Sequence, residues 1–226
     1  MTKRISDRSG TGRRPGTAET GLALGRRAVL GGALAAGAAM VMPGRAFASA
    51  SPLTPGQRRV LDVAKEQMDR AGEALWRRDI AGIADFGVHS SVPRFHFANL
   101  EQGTVRSFLV AHGTGSDPEH DGYLNEFSNT PGSNATSRGA YVTYEWYRGR
   151  YGTSIRLGGL DPDNSNALPR YIVAHPAEYA TRAHVERWGR LGRSNGCFAM
   201  DPADFNEALW NLSGGRLLYA DRLGIS

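Results

Sequence analysis

Cysteine is almost missing from this chain. Cys197 is the only one among 226 residues, so no disulfide can form within the molecule. Long apolar runs are missing too. The longest stretch of small apolar residues, Ala28 to Met42, is fifteen residues. At about 1.5 Å per residue it is too short to span a hydrocarbon core about 30 Å thick, which argues against a transmembrane helix. An overall excess of base over acid is present, with 27 Lys and Arg against 22 Asp and Glu, but it sits in the first 48 residues. Those carry eight basic and two acidic residues, leaving 19 basic and 20 acidic in the remainder. The body of the chain therefore has no basic surplus with which to neutralise phosphates, and nucleic acid is not an expected partner. No internal repeat or low-complexity linker divides the remaining 178 residues, enough for one domain with a proper core.

The first 48 residues read as an export signal. A polar, Arg-rich leader runs into Arg26-Arg27, then the weakly apolar Ala28–Met42 run, then small-x-small sites at Ala46-Phe-Ala48 and Ala48-Ser-Ala50. The arginine pair and the Gly/Ala-rich apolar core suggest the twin-arginine route. No cysteine follows the run, so no lipid anchor is expected, and the mature protein is expected in the periplasm or cell envelope.

An exported chain meets an oxidising compartment, where cysteines normally pair. The unpaired Cys197 is an intermolecular bridge, a buried inert thiol or a reactive one. Its flank, Leu191-Gly-Arg-Ser-Asn-Gly-Cys197-Phe198, favours the last. A turn of two glycines and small polar residues can expose a thiol and aim backbone N–H groups at whatever it attacks.

Periodicity predicts one helix followed by a β-rich body. Thr54-Pro55 is an N-cap with proline at the first helical position, and Val60, Leu61, Ala64, Met68, Ala71, Leu75 and Trp76 recur at helical spacing to about residue 77. Hairpins are expected from Arg94–Ala98 with Val105–Ala111, and from Ala140–Tyr147 with Thr153–Leu157. A strand Arg170–Ala174 ends at His175, a short helix follows Asp201-Pro202, and Arg216–Tyr219 closes as a strand. These elements predict a leader at 1–48, an N-terminal helical segment at 49–79, and a mostly-β domain, a sandwich or closed sheet with a few short helices, at 80–226. Two long loops, His112–Arg138 and Gly158–Pro169, are long enough to serve a site.

A thiol needs a base, and six histidines compete. His89 and His96 lie in or beside early strands, and His120 and His184 lie in charged or polar segments. His112 and His175 each close an apolar strand (Phe-Leu-Val-Ala-His and Tyr-Ile-Val-Ala-His), where rigid backbone can aim a side chain into a site. His175 is the expected base, because a single excursion over 176–191 can return the cysteine turn beside its strand.

The order strand–His175, excursion, Gly192-Arg-Ser-Asn-Gly-Cys197, short apolar strand resembles the catalytic domain of the murein L,D-transpeptidases. The pattern extends to Ser128-Asn129, Ser137-Arg-Gly139, Tyr147-Arg-Gly-Arg-Tyr-Gly152 and Ile155-Arg-Leu-Gly-Gly-Leu-Asp161, over about residues 90–220. Asn195 stands where the family's commonest form has a second histidine, and the span from His175 to Ser194 is slightly longer than usual.

The resemblance implies an L,D-transpeptidase-like fold and a cysteine-dependent acyltransferase. Cys197, activated by His175, would attack the carbonyl of the L-centre of the diamino acid in a peptidoglycan stem tetrapeptide and expel D-alanine. The thioester would pass to the amine of a second stem, giving a 3→3 cross-link, or to water, as in an L,D-carboxypeptidase. Backbone N–H groups of Gly196 and Cys197 would form the oxyanion hole. Asn195, Ser194, Arg193 and His112 would contact the substrate, carbapenems would acylate Cys197, and neither cofactor nor metal is implied. Family members often orient the histidine through a backbone carbonyl, so Asp117, Asp161 and Asp201 are weak candidates for an acidic third member.

Readings from other classes fit less well. A papain-like peptidoglycan endopeptidase places cysteine before histidine at the start of a helix, the reverse of the order here. His112, His120 and nearby aspartates match no zinc spacing, and Asp161-Pro-Asp-Asn-Ser-Asn166 lacks the glycine and terminal glutamate of a calcium loop. A non-catalytic wall-binding protein on the same fold is separated only by the reactivity of Cys197.

Overall fold

A computed structural model describes residues 52–225. The expected leader at 1–48 lies outside the described residues. Thr54 caps helix α1 (Pro55–Ala71) with a reciprocal capping box to Gln57, and Pro55 takes the first turn, where its missing N–H costs nothing. The helix stops six residues short of the expected position. Gly72 turns the chain at φ +52° and a single 3₁₀ turn, Gly72–Ala74, follows. Leu75 is buried nonetheless, whereas Trp76 is exposed and anchored by its N–H to the Gly215 carbonyl at 2.9 Å.

Eight strands follow: β1 (Ile80–Asp85), β2 (Phe95–Asn99), β3 (Thr104–Phe108), β4 (Gly139–Gly149), β5 (Gly152–Gly159), β6 (Val173–Pro176), β7 (Phe198–Met200) and β8 (Leu217–Asp221). They form one sheet in the order β3-β2-β1-β8-β4-β5-β6-β7. The pairs β1–β8 and β6–β7 are parallel and the others antiparallel. Beyond β3 the chain bridges back to β7, with Ala111 N–H donating to the Ala199 carbonyl at 2.8 Å, so the sheet is nearly closed. Helices α2 (Arg182–Trp188) and α3 (Pro202–Leu212) complete the fold.

Among the described residues the fold is thus mostly β, with three α-helices. Both expected hairpins form, as β2–β3 and β4–β5. Strand β1 was not foreseen, since Ile-Ala-Gly-Ile-Ala-Asp has too little alternation to read as a strand. Tertiary packing makes it one: Gly82 leaves no room for a side chain, because a Cβ there would sit 2.7 Å from both Leu212 and Phe95.

The main core lies inside the curled sheet, where Phe86, Phe95, Phe97, Tyr141, Ile155, Leu157, Phe198 and Met200 meet Phe205 and Leu212 of α3. Helix α1 covers the outer face of β1, β2, β3 and β8, seating Val60, Val63, Ala64 and Met68 on Ile83, Ala98 and Leu217. Each large apolar side chain so buried contributes about 1.5–3 kcal/mol relative to exposure. A third cluster, Leu109, Ala111, Ala180, Leu191 and Ala199, backs the β6–β7 edge.

Candidate active site

The β6–β7 pair brings Cys197 and His175 together. Its register sets Ala174 opposite Phe198 and His175 opposite Ala199. Successive side chains in a strand face opposite sides. Ala174 and Phe198 face the main core, so His175 and the residue just ahead of β7, Cys197, share the other face as diagonal neighbours.

His175 lies within β6 rather than just beyond it, and it is buried. Its Nδ1 is 2.9 Å from the Pro176 carbonyl, which can only accept, so Nδ1 carries the proton and Nε2 presents a lone pair. Burial pushes the imidazole below its ordinary pKa against the smaller, opposite effect of that carbonyl. The ring is therefore neutral at neutral pH. Tyr151, from the turn between β4 and β5, stacks on it with centroids 4.7 Å apart.

Cys197 is not exposed by its turn, as the glycine-rich flank suggested; only 6% of it is accessible. Gly196, at φ +106°, folds the turn inward until a Cβ there would lie 2.7 Å from the Ala135 carbonyl oxygen and 2.9 Å from Ile172. The thiol donates to the Tyr171 carbonyl at 3.6 Å. Burial pushes the thiol up, while the Val173 N–H and the Arg170 cation pull it down. The resting pair is thus neutral thiol and neutral imidazole, because burial disfavours both charged forms.

The residues expected to contact substrate divide sharply. Asn195 alone is exposed at the tip of the turn. Ser194 is buried and wired inward: its N–H donates to the His112 carbonyl at 2.8 Å, its carbonyl accepts from Thr114 N–H at 2.8 Å, and its hydroxyl donates to the Cys197 carbonyl at 2.7 Å. The same hydroxyl accepts the Gly196 N–H at 3.1 Å, so that donor is already engaged and Gly196 shapes the turn instead of offering an oxyanion contact. Arg193 reaches back to the carbonyls of Asp117 and Pro118.

His112 is corrected most clearly. Its ring is sealed between Arg94, whose Nη2 donates to Nδ1 at 2.6 Å, and Asp117, which accepts from Nε2 at 3.2 Å. Burial, reinforced by the Arg94 charge, pushes its pKa down to about 3. Burial alone would raise the Asp117 carboxyl, but the N–H groups of Asp121 and Gly122 and the His112 ring hold it below its usual range. This neutral imidazole cannot touch substrate. It ties the 112–138 loop to the strands and offers its own carbonyl to Ser194.

Three residues at the site carried no sequence signal as site residues. Tyr171 is 84% exposed, adopts φ +55° and aims its carbonyl at the thiol. Tyr179, after β6, packs against Gly192 and its hydroxyl is pushed up by burial and by the neighbouring Cys197 and Tyr151. Arg170 read as the start of a strand, but it lies ahead of β6 and grips the 128–137 loop. Tyr151 was visible only as part of the Tyr147–Gly152 block. Asp161, considered for calcium, instead accepts from Arg70 at 2.9 Å and from the Ala140 N–H at 2.7 Å. A cavity of about 390 Å³ under the start of α1 is lined by Val60, Val88, Val92 and Val105. It shares no residue with the Cys197 site, and chemistry rather than depth identifies the site.

Residues 56–220 match the model of the L,D-transpeptidase catalytic domain. The chain belongs to the L,D-transpeptidase catalytic domain family. Solved structures similar to it include an L,D-transpeptidase from Mycobacterium smegmatis (14% identity, 63% of this chain and 58% of that one, TM-score 0.38). Another is an LD transpeptidase in complex with imipenem (14%, 63% and 59%, 0.38). A third is an L,D-transpeptidase from Stackebrandtia nassauensis (12%, 70% and 64%, 0.38). The chain spans about three-fifths of the length of these structures. A search of curated proteins finds no match.

Proposed function

We propose that this protein is a peptidoglycan L,D-transpeptidase in which Cys197 is the nucleophile and His175 the general base. One observation carries the assignment: Pro176 fixes the Nδ1–H tautomer of a neutral imidazole on the strand beside the only cysteine. As Sγ attacks the carbonyl at the L-centre of a stem tetrapeptide, His175 Nε2 takes the thiol proton and later delivers it to the departing D-alanine amine. The oxyanion falls to the Cys197 N–H, since Gly196 is committed to Ser194. The thioester then passes to the side-chain amine of a second stem, giving a 3→3 cross-link, or to water. Asn195 and the exposed ring of Tyr171 stand at the mouth of the site to meet the donor peptide. In this reading residues 1–48 are an export signal, 49–79 the helical segment and 80–226 the catalytic domain, acting in the cell envelope. No helix among the described residues is long and apolar enough to cross a membrane.

The test is to incubate the protein with purified muropeptides and follow cross-linked dimers and D-alanine by mass spectrometry. Cys197→Ser should abolish both products and any covalent imipenem adduct. His175→Ala should lower the rate by about 10²–10⁴ at neutral pH. His184, half-buried on α2, should tolerate alanine within a few-fold. Unchanged turnover in Cys197→Ser would overturn the proposal.

A further inference from the structure

Arg170 is bound entirely by neutral oxygens. Nη1 donates to the Ser128 carbonyl at 2.7 Å and the Ser137 hydroxyl at 2.6 Å. Nη2 donates to the Ser133 hydroxyl at 3.1 Å and the Ala135 carbonyl at 2.6 Å. All four Nη donors are thereby used, so the group has little left with which to hold a ligand directly. The ion pairs among the described residues do not include it. An always-charged guanidinium, partly buried without a carboxylate, has its charge uncompensated.

Two short paths lead from this cation to Cys197. The Ala135 carbonyl that it holds is the one pressed against Gly196. Its chain neighbour Tyr171 supplies the carbonyl on which the thiol rests. The other titratable groups around the thiol are His175 on β6, Tyr179 after β6 and Tyr151 on the β4–β5 turn, none of them a carboxylate. The guanidinium itself also faces the Tyr141 hydroxyl, which donates to the Ser137 carbonyl and is pushed far above its ordinary value by burial, so the anion that can arise beside Arg170 near neutral pH is the thiolate.

We propose that Arg170 is a positioning residue that serves as the counter-charge of the Cys197 thiolate while clamping the 128–137 loop beneath the cysteine turn. The proposal rests on the reading of Cys197 as nucleophile. It gives the site a way to ease proton loss from a buried thiol without a preformed thiolate–imidazolium pair. The blocks around Ser128 and Ser137 then have a role: they cradle the cation.

Because Cys197 is the only cysteine, its ionisation can be read by alkylation independently of turnover. The full chain is treated with iodoacetamide from pH 5 to 10, and the labelled fraction is followed by mass spectrometry. An opposite charge at close range lowers a pKa by about 1–3 units. R170Q should therefore label at least about tenfold more slowly than wild type at pH 7, the gap closing at pH 10, where the thiolate forms regardless. R170K keeps the charge and should label within about threefold of wild type. S137A removes one bond of the cradle and should do the same.

Equal labelling of R170Q and wild type at pH 7, or a deficit in R170Q that persists at pH 10, would overturn the inference and leave the nucleophile untouched. If R170Q fails to fold by circular dichroism, R170K decides: a tenfold loss at pH 7 despite the retained charge would overturn the counter-charge. A wild-type thiol that labels at no pH would remove the nucleophile reading and the inference with it.

Discussion

Tyr151 lies nearly flat on His175, with ring centroids 4.7 Å apart and planes 24° from parallel. The tyrosine comes from the tight turn between β4 and β5, so a residue distant in sequence shields one face of the imidazole while Pro176 fixes its tautomer. Removing the ring in Tyr151→Ala should let water reach the imidazole and raise its pKa toward the ordinary value. The acid limb of the pH–rate profile should move to higher pH, because the base form is then lost sooner as pH falls. Loss of the stacking contact, about 0.5–1.5 kcal/mol, should lower kcat/KM roughly 2- to 10-fold. Tyr151→Phe should keep both properties, and a pH profile for each variant checks this.

Asn195 is exposed, and no hydrogen bond within the described residues holds its side chain. Asn195→Ala should therefore leave the melting temperature unchanged. It should raise KM more than it lowers kcat, since an amide binds but does not titrate near neutral pH. Asn195→His should be tolerated and should add an ionisation between pH 5 and 8. Wild-type constants in a stable Asn195→Ala enzyme would remove the residue from substrate binding.

Gly196 combines φ +106° with contacts that leave no space for a methyl group. Gly196→Ala should cost about 1–3 kcal/mol from backbone strain alone, and the displaced turn should carry the thiol with it. Thermal melts should show the loss, and turnover per folded molecule should fall as well. Gly72→Ala offers a control, since its φ is also positive but its surroundings are open.

Stability should fall steeply with acid because of His112. Its folded pKa is depressed to about 3 by burial and by Arg94, while an unfolded histidine takes a proton near pH 6.5. Between those values the unfolded chain binds the extra proton, so stability is full above about pH 6.5 and is lost as pH falls toward 3. One such proton contributes a slope of about 1.4 kcal/mol per pH unit. His175 and His96, also depressed by burial, act in the same direction. In His112→Gln, glutamine supplies one acceptor to Arg94 and one donor to Asp117 without titrating. Urea unfolding between pH 4 and 7 should show a slope about one proton shallower in the variant.

Much of the candidate site was legible before folding was considered. Cys197 stood out by being alone, His175 by closing an apolar strand, and the two hairpins by alternation flanking polar, glycine-containing turns. These are local properties: a turn, a strand and a lone thiol each declare themselves within a few residues. The helix boundary was missed because Leu75 and Trp76 kept the apolar period after Gly72 had already turned the chain. Strand β1 was missed because it is held between β2 and β8, and that pairing, not its own alternation, makes it a strand.

The functions of individual side chains around the thiol were decided only by the tertiary structure. His112 and His175 have nearly the same local sequence, yet one is sealed between Arg94 and Asp117 while the other sits on β6, whose partner strand β7 follows directly on the cysteine. Ser194 and Arg193 turned inward to hold the turn because the 112–138 loop passes beside it and offers carbonyls. Arg170 acquired its place from four oxygens spread over residues 128–137, which no reading of Pro-Arg-Tyr could supply. Sequence alone determined which chemistry the chain carries, since that depends on residue types and local backbone. Burial and charge at each group depend on contacts between segments far apart in the chain, and the fold alone determined which groups are neutral, which are tied and which remain free to act.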